Sequence, residues 1–321
     1  MKEQRVTVHT ISLLTFILVT VFTHSASARS INDAVGTTSF TWLKAISDAE
    51  ISAAGECLAA RDGISGLFVH PAAVAGIQNG QMKLSYVSHY VDTQYGSVGY
   101  AHRIKEHDVG IRLSYVNYGE FIRTNRDGER TGTFTAGDMG VSLNLGKQPR
   151  DDLKFGVAVS YLTSKIDDFT AQAVTIDMGI IYYPPFEGFT VGTVLSNVGK
   201  VTKGYSSGHE DILPVILSVG IKKKLAHAPL TLYSDILFPN DNDITYAFGI
   251  EAAIANTLFL YAGTKSRNDI DVTTRKAETD YSGVKTFGIG LTINRYRFNY
   301  AYSPDEVFND IHKITISIPA L

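Results

Sequence analysis

One cysteine and one tryptophan stand among the 321 residues of this chain. A lone Cys57 excludes an internal disulfide, and its distance from the N-terminus makes it a poor lipidation site; a small buried residue is the role its chemistry suits. Charge is sparse, at 19% of the chain, and the net charge of -3 gives no electrostatic footprint for nucleic acid. The nine histidines are scattered, with no HExxH pair and no paired-cysteine spacing that would hold a metal. We therefore expect no enzyme, no cofactor and no metal centre. Beyond residue 22 no stretch approaches the roughly 18 continuous apolar residues of a spanning helix. If the chain crosses a membrane, it does so as strands.

What is present begins with an export signal. Lys2 and Arg5 precede an apolar run over Ile11–Phe22, and Ala26-Ser27-Ala28 supplies small residues for cleavage, so residues 1–28 read as a signal peptide. From Gln81 onward about fourteen segments of about ten residues read as strands. Their joins alternate, except that the first hairpin, Val91–Gln94, is short where a long one is due. Ile104–Asp108, Gly146–Asp152, Pro184–Gly188, Leu225–Ala228, Ala255–Asn256 and Asn294–Arg295 are short. Between them fall longer joins at Tyr118–Gly132, Gly199–Leu213, Lys265–Gly283 and Ser303–Ile311, with intermediate ones at Ser164–Ala171 and Phe238–Ile244. An outer-membrane barrel has this asymmetry, with short periplasmic turns and longer outer loops.

Face by face, Phe287, Ile289, Leu291 and Ile293 alternate with Gly288, Gly290 and Thr292. Phe155, Val157, Val159 and Tyr161 alternate with Gly156, Ala158 and Ser160. Period-two order means one wet face and one apolar face. A soluble β-sandwich shows it too, with the apolar face turned inward. Strand length and tyrosines near strand ends favour lipid. The expectation is an all-β, transmembrane, antiparallel up-and-down barrel of about 14 strands over residues 81–321. An N-terminal, partly helical plug over residues 29–80 precedes it. Ser47–Ala60 reads as the helix, with Ser47 or Asp48 as N-cap.

The opening Gly36-Thr37-Thr38-Ser39-Phe40-Thr41-Trp42-Leu43-Lys44 resembles that of the PorV/PorQ family of outer-membrane proteins, itself similar to FadL-type transporters of long-chain fatty acids. The Pro71-Ala72 pair after a small-residue helix, and the closing Tyr300-Ala301-Tyr302 and His312–Ile318, carry the same resemblance. His70 stands where the family has Asn, and Ala73 where it has Gly. The resemblance implies a FadL-like barrel with the N-terminal segment folded into its lumen. Candidate plug or ligand-contacting residues are Phe40, Leu43, His70, Pro71 and Ala72, with His70-Pro71-Ala72 as a movable hatch. Candidate surface-loop residues are Tyr118, Arg126, His209 and Asp269. His209-Glu210-Asp211 reads as a solvated loop cluster. Asn240–Asp243 and Asn268–Asp271 read as turn chemistry, because neither has the spacing of a calcium loop.

Three functions follow as expectations. The family resemblance favours a secretion-associated scaffold of type IX kind, with secretion components and exported cargo as partners. The alternative is a FadL-like transporter of hydrophobic small molecules, and the third is a soluble exported β-protein. For both membrane readings the constant partner is outer-membrane lipid.

Overall fold

Alternating side chains become one closed sheet. The computed structural model describes residues 37–206, 211–255, 257–271, 276–305 and 310–319, the stretch 267–282 by its backbone only. The expected signal peptide lies outside the described residues. Fourteen strands run in order: β1 Gln81–Ser88, β2 Gln94–Ile104, β3 His107–Thr124, β4 Arg130–Arg150, β5 Leu153–Ile166, β6 Phe169–Tyr182 and β7 Phe189–Lys203. Then come β8 Ile216–Lys224, β9 Leu230–Pro239, β10 Thr245–Ile254, β11 Leu258–Asp271, β12 Lys276–Ile293, β13 Tyr296–Ser303 and β14 Ile311–Pro319. Each pairs antiparallel with its chain neighbours, and β1 pairs with β14 to close the barrel.

The pleat sorts the side chains by face. Phe155, Val157, Val159 and Tyr161 are exposed on β5, while Ala158 and Ser160 between them are buried against the lumen. The same division holds on β12, where Phe287, Ile289, Leu291 and Ile293 point outward. Exposed large apolar side chains occur on every strand from Tyr86 on β1 to Ile314 on β14. A continuous apolar belt of this size is incompatible with a monomer in water and is the lipid-facing band of a membrane barrel. The soluble reading is therefore discarded.

Two expectations change. The joins at Tyr118–Gly132 and Lys265–Gly283 are mostly strand. The β3–β4 ladder continues to Thr124 opposite Arg130, and β11–β12 continues to Asp271 opposite Lys276. These hairpins project past the apolar belt, where both faces are wet and the alternation that marks a strand is lost. The helix is also shorter than expected. It spans only Ala49–Ala53 (α1), capped by the Asp48 carboxylate, which accepts from Ile51 N at 3.1 Å. Gly55 follows at φ 70°, and any Cβ there would collide with the Phe248 carbonyl of β10. The wall comes too close for another helical turn.

Residues 37–80 lie inside the barrel. Inward-facing Gly192, Gly249 and Gly156 let the wall approach the backbone of Ala59, Ala54 and Pro71-Ala72 without an intervening side chain. The lumen is thus filled by chain.

Candidate functional site

The N-terminal segment divides the lumen. At the outer end, Thr38 forms a parallel bridge with Ile212, and Ser39 N donates to Ile212 O at 2.9 Å. Phe40 then adopts a left-handed conformation (φ 54°), which turns the chain into a 3-10 turn over Thr41–Lys44. Phe40 and Trp42 enter a buried cluster with Val87, Tyr95, Val116, Leu162 and Leu213, and Leu43 packs against it. Trp42 meets Tyr95 edge-on, with ring centroids 6.1 Å apart. Its ring lies over Gly140, where a Cβ would leave no space. Asp241, in the β9–β10 connection, accepts from Lys44 Nζ at 2.7 Å and from Thr38 Oγ1 at 2.6 Å. Burial pushes the Asp241 carboxyl up, but these two donors outweigh it and hold it below its ordinary value. Residues 38–44 form a strap across the outer mouth.

The floor lies deeper. His70 Nδ1 accepts from Ala72 N at 3.2 Å and caps a 3-10 turn over Pro71–Val74, all of it buried. The ring packs on Gly179 of β6. Burial drives the His70 imidazole down to about 4 against the pull of Asp62, so it is neutral at pH 7. Arg112 of β3 donates to Phe68 O and, at 3.1 Å, to Ser142 Oγ.

Charge fastens this segment to the wall. Lys83 of β1 pairs with Asp48, both fully buried. Lys154 of β5 bonds both oxygens of Asp62 at 2.9 Å. Lys265 reaches Glu56 at 2.8 Å and Lys313 reaches it at 3.5 Å. Asp235 of β9 accepts from Leu58 N and Ala59 N at 2.6 and 2.7 Å. Burial would raise Glu50 and Glu56, but their neighbours prevail. Arg297, Lys83 and Arg61 hold Glu50 at about 2, and Lys265 with Lys313 holds Glu56 at about 2.

Between strap and floor lies a chamber of about 440 Å³. Trp42, Leu43, Val87, Tyr95 and Leu237 give it apolar wall, and Arg112, Asn144, Asp177 and Ser218 give it a polar stripe. That volume is in the range of small-molecule sites.

Among the sequence candidates, Leu43, His70 and Pro71 line this chamber. Phe40 is buried behind it, and Ala72 is buried in the floor turn. Tyr118 belongs to β3 and donates to Asp138 at the outer mouth, packed on the strap cluster. Arg126 is exposed in the turn between β3 and β4. Asp269 lies in β11 opposite Glu278. His209 lies outside the described residues. Gly204-Tyr205-Ser206-Ser207-Gly208 has the spacing of a nucleophile elbow; its described part, 204–206, leaves the outer end of β7, and among the described residues no strand-to-helix turn carries it, while 207 and 208 lie outside them. No cluster of three metal-binding side chains occurs among the described residues. Sequence reasoning read Asp241 as turn chemistry, where the structure has it accepting from Thr38 and Lys44, and it did not assign Tyr95, Arg112 or Leu213 to this region. The usable signal was charge at inward strand positions, such as Lys83, Lys154, Asp235 and Lys313, each of which needs a partner inside the lumen.

The fold has well-matched solved counterparts. The toluene transporter TbuX of Ralstonia pickettii superposes with a TM-score of 0.60 at 13% identity, covering 87% of this chain and 99% of that one. The toluene transporter TodX of P. putida gives 0.59 at 12% identity, covering 84% and 97%. The monoaromatic hydrocarbon channel CymD gives 0.55 at 9% identity, covering 83% and 95%. No family profile and no curated protein matches the sequence. The chain is an outer-membrane β-barrel with the FadL-like fold. The solved structures that match include hydrocarbon channels and bring no support for the PorV/PorQ part of the sequence resemblance.

Proposed function

We propose that this barrel passes hydrophobic small molecules across the outer membrane. The observation that carries the reading is the chamber itself. It is a partly apolar space of about 440 Å³, roofed by a strap and floored by a capped turn, inside a barrel that superposes over most of its length on toluene transporters. The strap is held by the Phe40–Trp42 cluster, by the bridge to Ile212, and by the Asp241 contacts to Lys44 and Thr38, of which the ion pair is partly exposed, so it is the weaker of the two closures. The floor is fixed by several buried charges and by close backbone contact with the wall. The polar stripe at Arg112, Asn144 and Asp177 suits a solute with a polar end as well as a bare hydrocarbon.

Residues 29–80 act as the plug in this reading, and His70-Pro71-Ala72 serves as its floor. The secretion scaffold draws on the terminal resemblance alone. Phe40, Trp42 and Leu43, which carry much of that resemblance, are occupied inside the strap cluster. We therefore rank transport above it. The test is uptake of labelled toluene and of a long-chain alkane by proteoliposomes holding the full chain. Uptake several-fold faster than into empty vesicles supports transport. Uptake no faster than into empty vesicles, with correctly folded barrel, removes it.

A further inference from the structure

The outward face carries a second feature, independent of the chamber. At the outer rim of β5, β6 and β7, three lysines project toward the lipid side. Lys165 of β5 lies opposite Thr170, and Lys203 and Lys200 of β7 lie opposite Gln172 and Val174. The register fixes their direction. Val174 and Ile176 of β6 are exposed on the apolar belt while Ala173 and Thr175 are buried inward, so Lys200 and Lys203, paired with outward residues, share the outward face. Lys165 follows Tyr161 and Thr163 on the outward side of β5 in the same way.

All three lysines are exposed, and none has an ion-pair partner among the described residues. The carboxylate of Asp167, in the adjoining turn, is already taken by Arg123 Nη2 at 2.5 Å. Asp168 sits at the tip of that turn. Beneath the lysines lie Tyr161, Val174, Ile176 and Val198, the upper edge of the apolar belt. One strand, β6, lies between Lys165 and Lys203, so the two are two strand spacings apart across the sheet, about 10 Å, with Lys203 level with Thr163. Elsewhere on the described outer rim, from β8 round to β2, Lys285 is the single outward lysine bordering the belt. The charge is thus concentrated on one side of the barrel.

Unpaired lysines at the edge of hydrocarbon are drawn toward anionic headgroups. The end that bears them is the one with the projecting hairpins, the outer end of such a barrel. We propose that Lys165, Lys200 and Lys203 form a binding site for a phosphorylated glycolipid of the outer leaflet. Its phosphates sit among the three ammonium groups, with hydroxyl and amide donors from Thr163, Thr170 and Gln172 beside them. Its acyl chains lie on Tyr161, Val174, Ile176 and Val198.

The experiment uses the full chain, purified in a neutral detergent and examined by native mass spectrometry with added lipid. The probes are bisphosphorylated lipid A, monophosphorylated lipid A and phosphatidylglycerol. The expected result is one bisphosphorylated lipid A retained per barrel, with weaker retention of the other two. K165Q/K200Q/K203Q should lower that retention at least tenfold, and K285Q should leave it unchanged. Each variant is first checked for the heat-dependent gel mobility of a closed barrel. If any triple-lysine substitution fails that check, the three single glutamine variants are measured instead, each expected to bind several-fold more weakly. Undiminished retention by the folded variants would overturn the proposal. Equal retention of phosphatidylglycerol and lipid A would overturn it too, because it would mark a nonspecific anionic annulus.

Discussion

Lys83→Met tests whether buried charge locks the plug to the wall. Lys83 Nζ meets the Asp48 carboxylate with neither side chain exposed, and it also donates to the carbonyls of Ile64 at 3.0 Å and Ser65 at 3.3 Å. Methionine keeps the unbranched stem and removes the charge. Asp48, which caps α1, is then left buried without its counterion. Removing one member of a buried pair costs about 3–5 kcal/mol, whereas replacing both by neutral groups is often close to neutral. If that loss falls on plug seating, the unseated population rises on the order of 10²- to 10³-fold. Trypsin reads it after Arg61, which is 2% exposed when the plug is seated. Where opening is fast, cleavage follows the open population. Trp42, the single tryptophan, gives a second reading, since its emission should shift to the red as it leaves Tyr95 and Leu162. The double variant D48N/K83M should recover most of the protection. Wild-type protection of Arg61 in folded Lys83→Met would refute the reasoning.

Acid should loosen the same segment in two stages. The His70 imidazole lies at about 4 instead of 6.5, equivalent to about 3 kcal/mol, so stability is full above pH 6.5 and falls as the pH drops toward 4. Glu50 and Glu56, held at about 2, add stability that is present above pH 4.5 and lost as the pH falls toward 2. Trp42 emission against pH checks both stages, and His70→Gln should remove the first. Gly192→Ala places a methyl group on the Ala59 carbonyl, and neither backbone can yield. It should destabilise plug seating by about 1–3 kcal/mol, seen as faster trypsin cleavage at Arg61. Asp241→Ala frees both Lys44 and Thr38, so solute uptake by proteoliposomes should rise several-fold while Arg61 stays protected; unchanged uptake would mean the strap is not the gate.

The barrel was legible because its pleat is written locally. Over Phe155–Tyr161 of β5 and Phe287–Ile293 of β12 every second residue is large and apolar, and the register of the structure follows that order. The β3–β4 extension was illegible for the same reason. Beyond Asn117 water meets both faces, so Gly119, Gly128 and Gly132 dominated the pattern and suggested a loop. Ser47–Ala60 misled because helix propensity is local, whereas the contact of Gly55 with Phe248 is set by a strand about two hundred residues away. The chamber was half legible. Leu43, His70 and Pro71 belong to one short segment, but Tyr95, Arg112 and Asp241 reach it only through barrel closure.

The start of α1 rests on the junction of the first and last strands. Lys83 and Ser85 belong to β1, Lys313 and Thr315 to β14, and Ser85 pairs with Thr315 across that seam. Ser85 Oγ donates to Ser47 O, Ala49 N donates to Thr315 Oγ1, and Lys313 Nζ bonds Ile46 O and Ser52 Oγ. The seam joins residues some 230 positions apart, the costliest pairing in the sheet by chain entropy. A segment synthesised early and already touching β1 offers β14 a prepared landing site. The plug is thus also a clasp, and damage to it should slow closure of the barrel before it alters anything in the finished one.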